Sequence, residues 1–223
     1  NNALSLGNIL FNAGIDGLKD DKADIIYALS FDGLNIDPIP ANSELMPSKF
    51  KTQLKLNHLP INQLIDMGKN AMAAKAENPD AGGMIAMRSL MSLPQILANA
   101  GTTLTLTDSY LANDTYNAKI DGEVKASTTS MIGAVGDMTL DVSNLSKIIS
   151  LINTQMSQET DQSKVGKAQA LLSQLQLLQQ IGRVEGNSTV AKFELNEQGQ
   201  TLVNGQDLKE AMSGSVEPAA AAQ

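Results

Sequence analysis

LKLNHLPINQLI (residues 54–65) and LDVSNLSKIISL (residues 140–151) follow one design. Each begins with alternating apolar residues, the period of a half-buried strand, then a short polar gap and a leucine, and then takes up helical spacing. A shift of 86 positions lays Leu54 on Leu140, Leu56 on Val142, Leu59 on Leu145 and Ile65 on Leu151. Each copy runs on into a broken helical hairpin, closes near a glycine (Gly101, Gly182) and returns to an alternating strand. In that return Leu104 and Leu106 answer to Ala191 and Phe193, with a small extra shift. The competing reading is a strand-to-helix junction reused without duplication. A strand that enters a helical hairpin can fold the hairpin back onto one sheet face, which leaves the alternate residues on a wet opposite face. The expectation is an α+β fold: one antiparallel β-sheet with two helical hairpins packed on one face, built from a duplicated β-then-α module. It is read as a single domain over 1–223, with internal repeats at about 48–111 and 134–203 and a frayed tail over 213–223.

Outward from these copies the chain reads as strands and turns. Ile25, Tyr27, Leu29 and Phe31 alternate and stop at Asp32-Gly33. Residues 3–18 suggest a strand, with 14–17 as a turn, and Asp37-Pro38-Ile39-Pro40 reads as a loop. Phe50, Thr52, Leu54 and Leu56 form a strand, and Pro60 opens a helix carried by Ile61, Leu64, Ile65, Gly68 and Met72. Residues 78–83 break it. A second helix spans 84–93, and Pro94 starts a separate short piece to Leu97. Leu104, Leu106 and Tyr110 mark the next strand, then Tyr116, Ala118 and Ile120, with turns at Asn113-Asp114 and Asp121-Gly122, and Val124 and Ala126 continuing. After Met138, Leu140 and Val142, Asn144 is placed to cap a helix with the stripe Leu145, Ile148, Ile149, Ile152 and Met156. A polar loop over 158–163 leads to Ala168, Leu171, Leu172, Leu175, Leu178 and Ile181 at helical spacing. A last strand pair turns at Glu197-Gln198-Gly199.

Composition narrows the function. The 223 residues are 42% hydrophobic, enough for a globular core. Aromatics are 3% with no Trp, so platforms for stacking bases are nearly lacking. A net charge of −8 and a pI of about 4.6 repel nucleic acid and anionic surfaces. The densest basic group, Lys49, Lys51 and Lys55, alternates with apolar residues and reads as the polar side of a strand. With no Cys there are no disulfides, thiolate metal sites or thiol catalysis. No apolar run reaches the roughly 18 residues of a membrane helix. The chain starts at Asn1 without Met, which suggests a mature or trimmed product.

The stretch GRVEGNSTVAKFELNEQGQTLVNGQDLKEAM (residues 182–212) combines a glycine junction, a strand, the turn NEQG (196–199) and the phrase LVNGQDL (202–208). It resembles the ends of bacterial envelope proteins of the DUF945 (YdgA-like) and DUF2125 kind, which look related to AsmA-like repeats. DGEVKASTTSMIGAVGDMTLDVSNLSKIISLI (residues 121–152) is similar in the same way, and the resemblance covers residues 45–210. It implies a periplasmic or otherwise extracytoplasmic protein, anchored by an N-terminal signal or membrane helix that this sequence does not contain. It carries over no catalytic residues, and a link to lipid handling comes by analogy alone.

Chemistry-bearing clusters are scarce. His58 is the single histidine, with no ligands spaced to join it, and its position before Leu59-Pro60 is structural. Asp20-Asp21 and Glu159 with Asp161 read as solvated turns, and no G-x-S-x-G, phosphate loop, dinucleotide fingerprint or calcium loop occurs. No enzyme, cofactor or metal is expected. Five methionines, Met67, Met72, Met84, Met87 and Met91, gather in the first hairpin. Methionine suits adaptable apolar surfaces, so these five are the candidate surface for an apolar ligand or partner, set against an ordinary core. The expected role is a non-catalytic binding or scaffold protein of the envelope, with a lipid, another envelope protein or a second copy of the chain as partner. The alternative is a structural subunit that self-assembles through strand edges.

Overall fold

A computed structural model describes residues 3–19, 21–37, 43–77 and 82–212. The expected loop at 37–40 and the tail from Ser213 fall largely or wholly outside the described residues. Ten strands form one sheet in the order β12-β11-β10-β8-β7-β6-β5-β3-β2, with β9 also on β10, and β1 (Ala3–Ser5) and β4 (Asn35–Asp37) make a separate pair. The sheet is an antiparallel meander: β2 (Asn8–Asp16), β3 (Ala23–Asp32), β5 (Lys49–Leu59), β6 (Thr103–Ala112), β7 (Asn117–Ala126), β8 (Ala134–Ser143), β10 (Ser188–Leu195), β11 (Thr201–Val203) and β12 (Gln206–Asp207). β9 (Arg183–Glu185) and β11 lie end to end along one side of β10.

Two helical hairpins interrupt the meander. α1 (Ile61–Glu77) and α2 (Gly82–Ala100) join β5 to its neighbour β6; α3 (Leu145–Gln158) and α4 (Gln162–Ile181) join β8 to its neighbour β10. A short α5 (Leu208–Met212) follows β12. The two modules match in register. Leu56 pairs Leu104, 48 residues on, and Val142 pairs Thr189, 47 residues on. His58 (φ 55°) and Asn144 (φ 55°) hold the same left-handed corner just before their helices. The β-then-α module is therefore used twice. The finer return correspondence is corrected: pairing aligns Leu104 with Thr189 and Leu106 with Ala191, so the second copy is one residue shorter rather than longer.

Register sorts the side chains onto two faces, because neighbours along a strand point opposite ways. One face carries Ile25, Tyr27, Leu54, Leu56, Leu104, Leu106, Ile120, Val124, Leu140, Val142, Ala191 and Phe193, and the hairpins pack on it. The other carries Lys51, Lys55, Lys119, Asp121, Lys125, Asp137, Asp141 and Lys192 and is wet, as the alternation predicts. The buried cluster sits under the second hairpin, where Leu145, Ile148, Ile152, Leu172 and Leu178 meet Val142, Ala191 and Val203. Each Leu, Ile or Val buried there stabilises by roughly 1.5–3 kcal/mol before entropy is counted. Asn204 seals its end: Nδ2 donates to the Ile181 carbonyl (2.8 Å) and Oδ1 accepts from the Lys192 amide (3.0 Å).

Several local expectations are corrected. β2 runs through Gly14 to Asp16, and the turn comes at Gly17 (φ 73°). α2 continues through Pro94, whose missing N–H would have served Leu90, an exposed residue. β7 continues through Asp121-Gly122, because Gly122 lets β8 approach: a Cβ there would lie 2.8 Å from the Met138 Cα. A bulge between Leu106 and Ser109, with Asp108 at φ 49°, turns Tyr110 to the wet face and Ser109 to the apolar one. Asn144 makes no side-chain cap; its Nδ2 donates to the Thr115 carbonyl (2.7 Å).

Candidate apolar binding face

Under the first hairpin the apolar sheet face is incompletely covered. α1 presents the half-buried stripe Ile61, Leu64, Met67, Ala71 and Ala74, yet no residue of α1 is buried. α2 aims Leu90, Leu93, Pro94 and Leu97 at the sheet. Between this stripe and the floor of Leu56, Leu104, Val124, Ala126 and Ala134 lies a hollow of about 290 Å³, closed at one side by Ile132, Gly133 and Thr102. Its size is near the lower end of small-ligand sites, about 300–1,000 Å³. Gly133 (φ 80°) is required there, since a Cβ would come within 2.7 Å of the Pro94 Cβ. A second hollow of about 220 Å³ lies further along the same face, on Phe50, Thr52, Leu106, Leu111, Ile120 and Leu140.

Of the five candidate methionines, Met84, Met87 and Met91 share one stripe of α2 and are 76%, 66% and 77% exposed. By helical spacing that stripe lies beside the one facing the sheet. Leu90 (66% exposed) and Ile132 (56%) belong both to the hollow and to the surface, so they form its mouth. The hairpin does not gather all five. Met67 is half-buried in the inward stripe of α1, and Met72, 76% exposed, points elsewhere. The floor residues of β6, β7 and β8 were missed by sequence reasoning. Each strand alternation was visible, but not which strands would lie under α2.

Several titratable groups tie the backbone together. His58 is a backbone corner: its N–H donates to Asp24 Oδ1 (2.7 Å), its carbonyl accepts from Thr102 Oγ1 (2.9 Å), and its ring Nδ1 is 3.4 Å from the Gly101 carbonyl. Lys22 Nζ donates to the Ala100 carbonyl (2.8 Å) at the end of α2. A polar hollow of about 500 Å³ with Lys22, Asp24, His58, Glu123 and Lys125 lies at these strand ends. The expected acidic turn holds. Glu159 accepts from the amides of Thr160 and Asp161 and meets Lys164 at 3.4 Å, while Asp161 accepts from the Ser163 amide at the start of α4. The Asp161 amide, with lesser help from Lys164, holds the Glu159 carboxyl below the usual carboxylate range. Asp21 accepts from Asn62, and its neighbour Asp20 lies outside the described residues. Burial pushes the Tyr116 phenol up; its hydroxyl donates to the Leu45 carbonyl (3.0 Å) inside the core. Among the described residues no three His, Cys, Asp or Glu side chains are grouped to hold a metal, and no helix is long and apolar enough to cross a membrane.

Comparison with known proteins returns no matching family model, no matching curated protein and no matching solved structure.

Proposed function

We propose that the protein is a non-catalytic binding protein of the bacterial envelope, working outside the cytoplasm, that receives an apolar chain such as a lipid acyl group between α2 and the sheet. The observation that carries this reading is the hollow under α2, walled almost wholly by Leu, Ile, Val, Ala and Pro and opening at Leu90 and Ile132 beside an exposed Met stripe. Apolar walls with few polar groups suit an apolar ligand and offer nothing for acid–base chemistry. Flexible methionines at the mouth allow chains of different shape to pass. The extracytoplasmic placement rests on the resemblance of residues 45–210 to envelope proteins.

The test is binding of a fluorescent fatty-acid analogue, with native mass spectrometry of the gently purified protein. The unmodified chain should bind the probe and carry extra mass that organic extraction releases as lipid. Ala126→Phe, which fills the hollow from its floor, should abolish probe binding while the fold stays intact. Failure of the unmodified protein to bind, or unchanged binding by the variant, would contradict the reading.

A further inference from the structure

The sheet ends on two unlike edges. At one end β12 is two residues long and passes directly into α5. Short edges of this kind do not template pairing. At the other end β2 runs nine residues and is exposed at every position, and among the described residues it pairs with β3 alone. Its ladder to β3 is unbroken from Asn8↔Asp32 to Asp16↔Asp24, whereas the next three ladders inward each carry an irregularity. Proteins blunt an open edge with a bulge, a proline or a lysine. The strand NILFNAGID has none of these, and its single charge, Asp16, stands at the very end.

The strand's own residues identify the occupant. Set two copies antiparallel about Asn12, and Ile9 meets Ile15 and Phe11 meets Ala13 on the apolar face. On the other face Leu10 meets Gly14, and at the ends Asn8 meets Asp16. All nine residues pair, no like charges oppose one another, and Asn12 faces its own copy with an amide that both donates and accepts. The two-fold axis stands perpendicular to the sheet, so the apolar faces of both copies lie on one side. That pairing would cover Ile9, Phe11 and Ile15, which are 58%, 64% and 59% exposed in the single chain. We propose that a second copy of this chain pairs along β2 in this register, giving an isologous dimer whose sheet runs through both subunits. A single strand pair is small beside the roughly 1,200 Å² of a standard interface, so the dimer depends on concentration.

Sedimentation of the full chain over a concentration series, with substitutions at the self-facing position, tests this. Asn12 is exposed and off the buried core, so its variants keep the fold. Asn12→Asp and Asn12→Lys each put like charges directly opposite and should weaken the dimer by up to about fivefold, while a one-to-one mixture of the two should restore it. Since the chain has no Cys, Asn12→Cys supplies its one thiol, and mild oxidation should link two copies. A monomer at every concentration would overturn the proposal. So would a dimer indifferent to charge at position 12 and not linked by Asn12→Cys.

Discussion

The two hairpins are joined to the same sheet face by matching registers, yet they are held differently. α3 buries Leu145, Ile148 and Ile152, and α4 buries Leu172 and Leu178, all in one cluster with Val142, Ala191 and Val203. α1 buries nothing, and α2 leaves Met84, Met87, Leu90 and Met91 in solvent above a hollow. A duplicated module thus reaches two ends from one plan. One copy completes the core, and the other leaves apolar surface uncovered. Covering that surface would stabilise at roughly 25 cal/mol per Å², so the open copy is where an apolar ligand gains most.

The contrast can be broken at one sheet-facing position in each hairpin. Ile152→Ala in the sealed hairpin removes a side chain 3% exposed and should cost about 2–5 kcal/mol by chemical denaturation. Leu64→Ala, on the half-buried stripe of α1, should cost about 1 kcal/mol. Equal losses would contradict the comparison.

A smaller effect sharpens it from the turn of the sealed hairpin. The Glu159 carboxyl titrates lower in the folded chain than in the unfolded one, so its contribution is present above the unfolded value. It is lost as pH falls through the depressed one. Because the side chain is solvated, the effect is slight. Melting curves from pH 7 down through the carboxylate range should show Glu159→Gln slightly less stable than the native chain at neutral pH, with the gap closing in acid. A gap that persists below the carboxylate range would contradict the assigned cause.

Much of the architecture was legible because it depends on local rules. The alternation at Leu54 and Leu56, the leucine at each strand-to-helix junction and the glycine after each hairpin are set by residues near one another in the chain. What was missed depended on distant partners. Asp121-Gly122 has turn chemistry, but the close approach of β8 needs that glycine inside a strand. Pro94 reads as a break, yet α2 continues through it, and the carbonyl left without its N–H belongs to the exposed Leu90. The five methionines all lie in the first hairpin, but only Met84, Met87 and Met91 share a surface. The floor of the hollow comes from β5 to β8, which no local pattern joins to α2.

Hydrogen exchange resolved along the chain tests the central contrast most directly, because local opening reports how well each element is held. The account predicts that amides of α1 and α2 exchange well before those of α3 and α4, and that a bound fatty-acid analogue slows exchange in α2 while leaving α3 and α4 unchanged. Equal protection of the two hairpins in the free protein would contradict it.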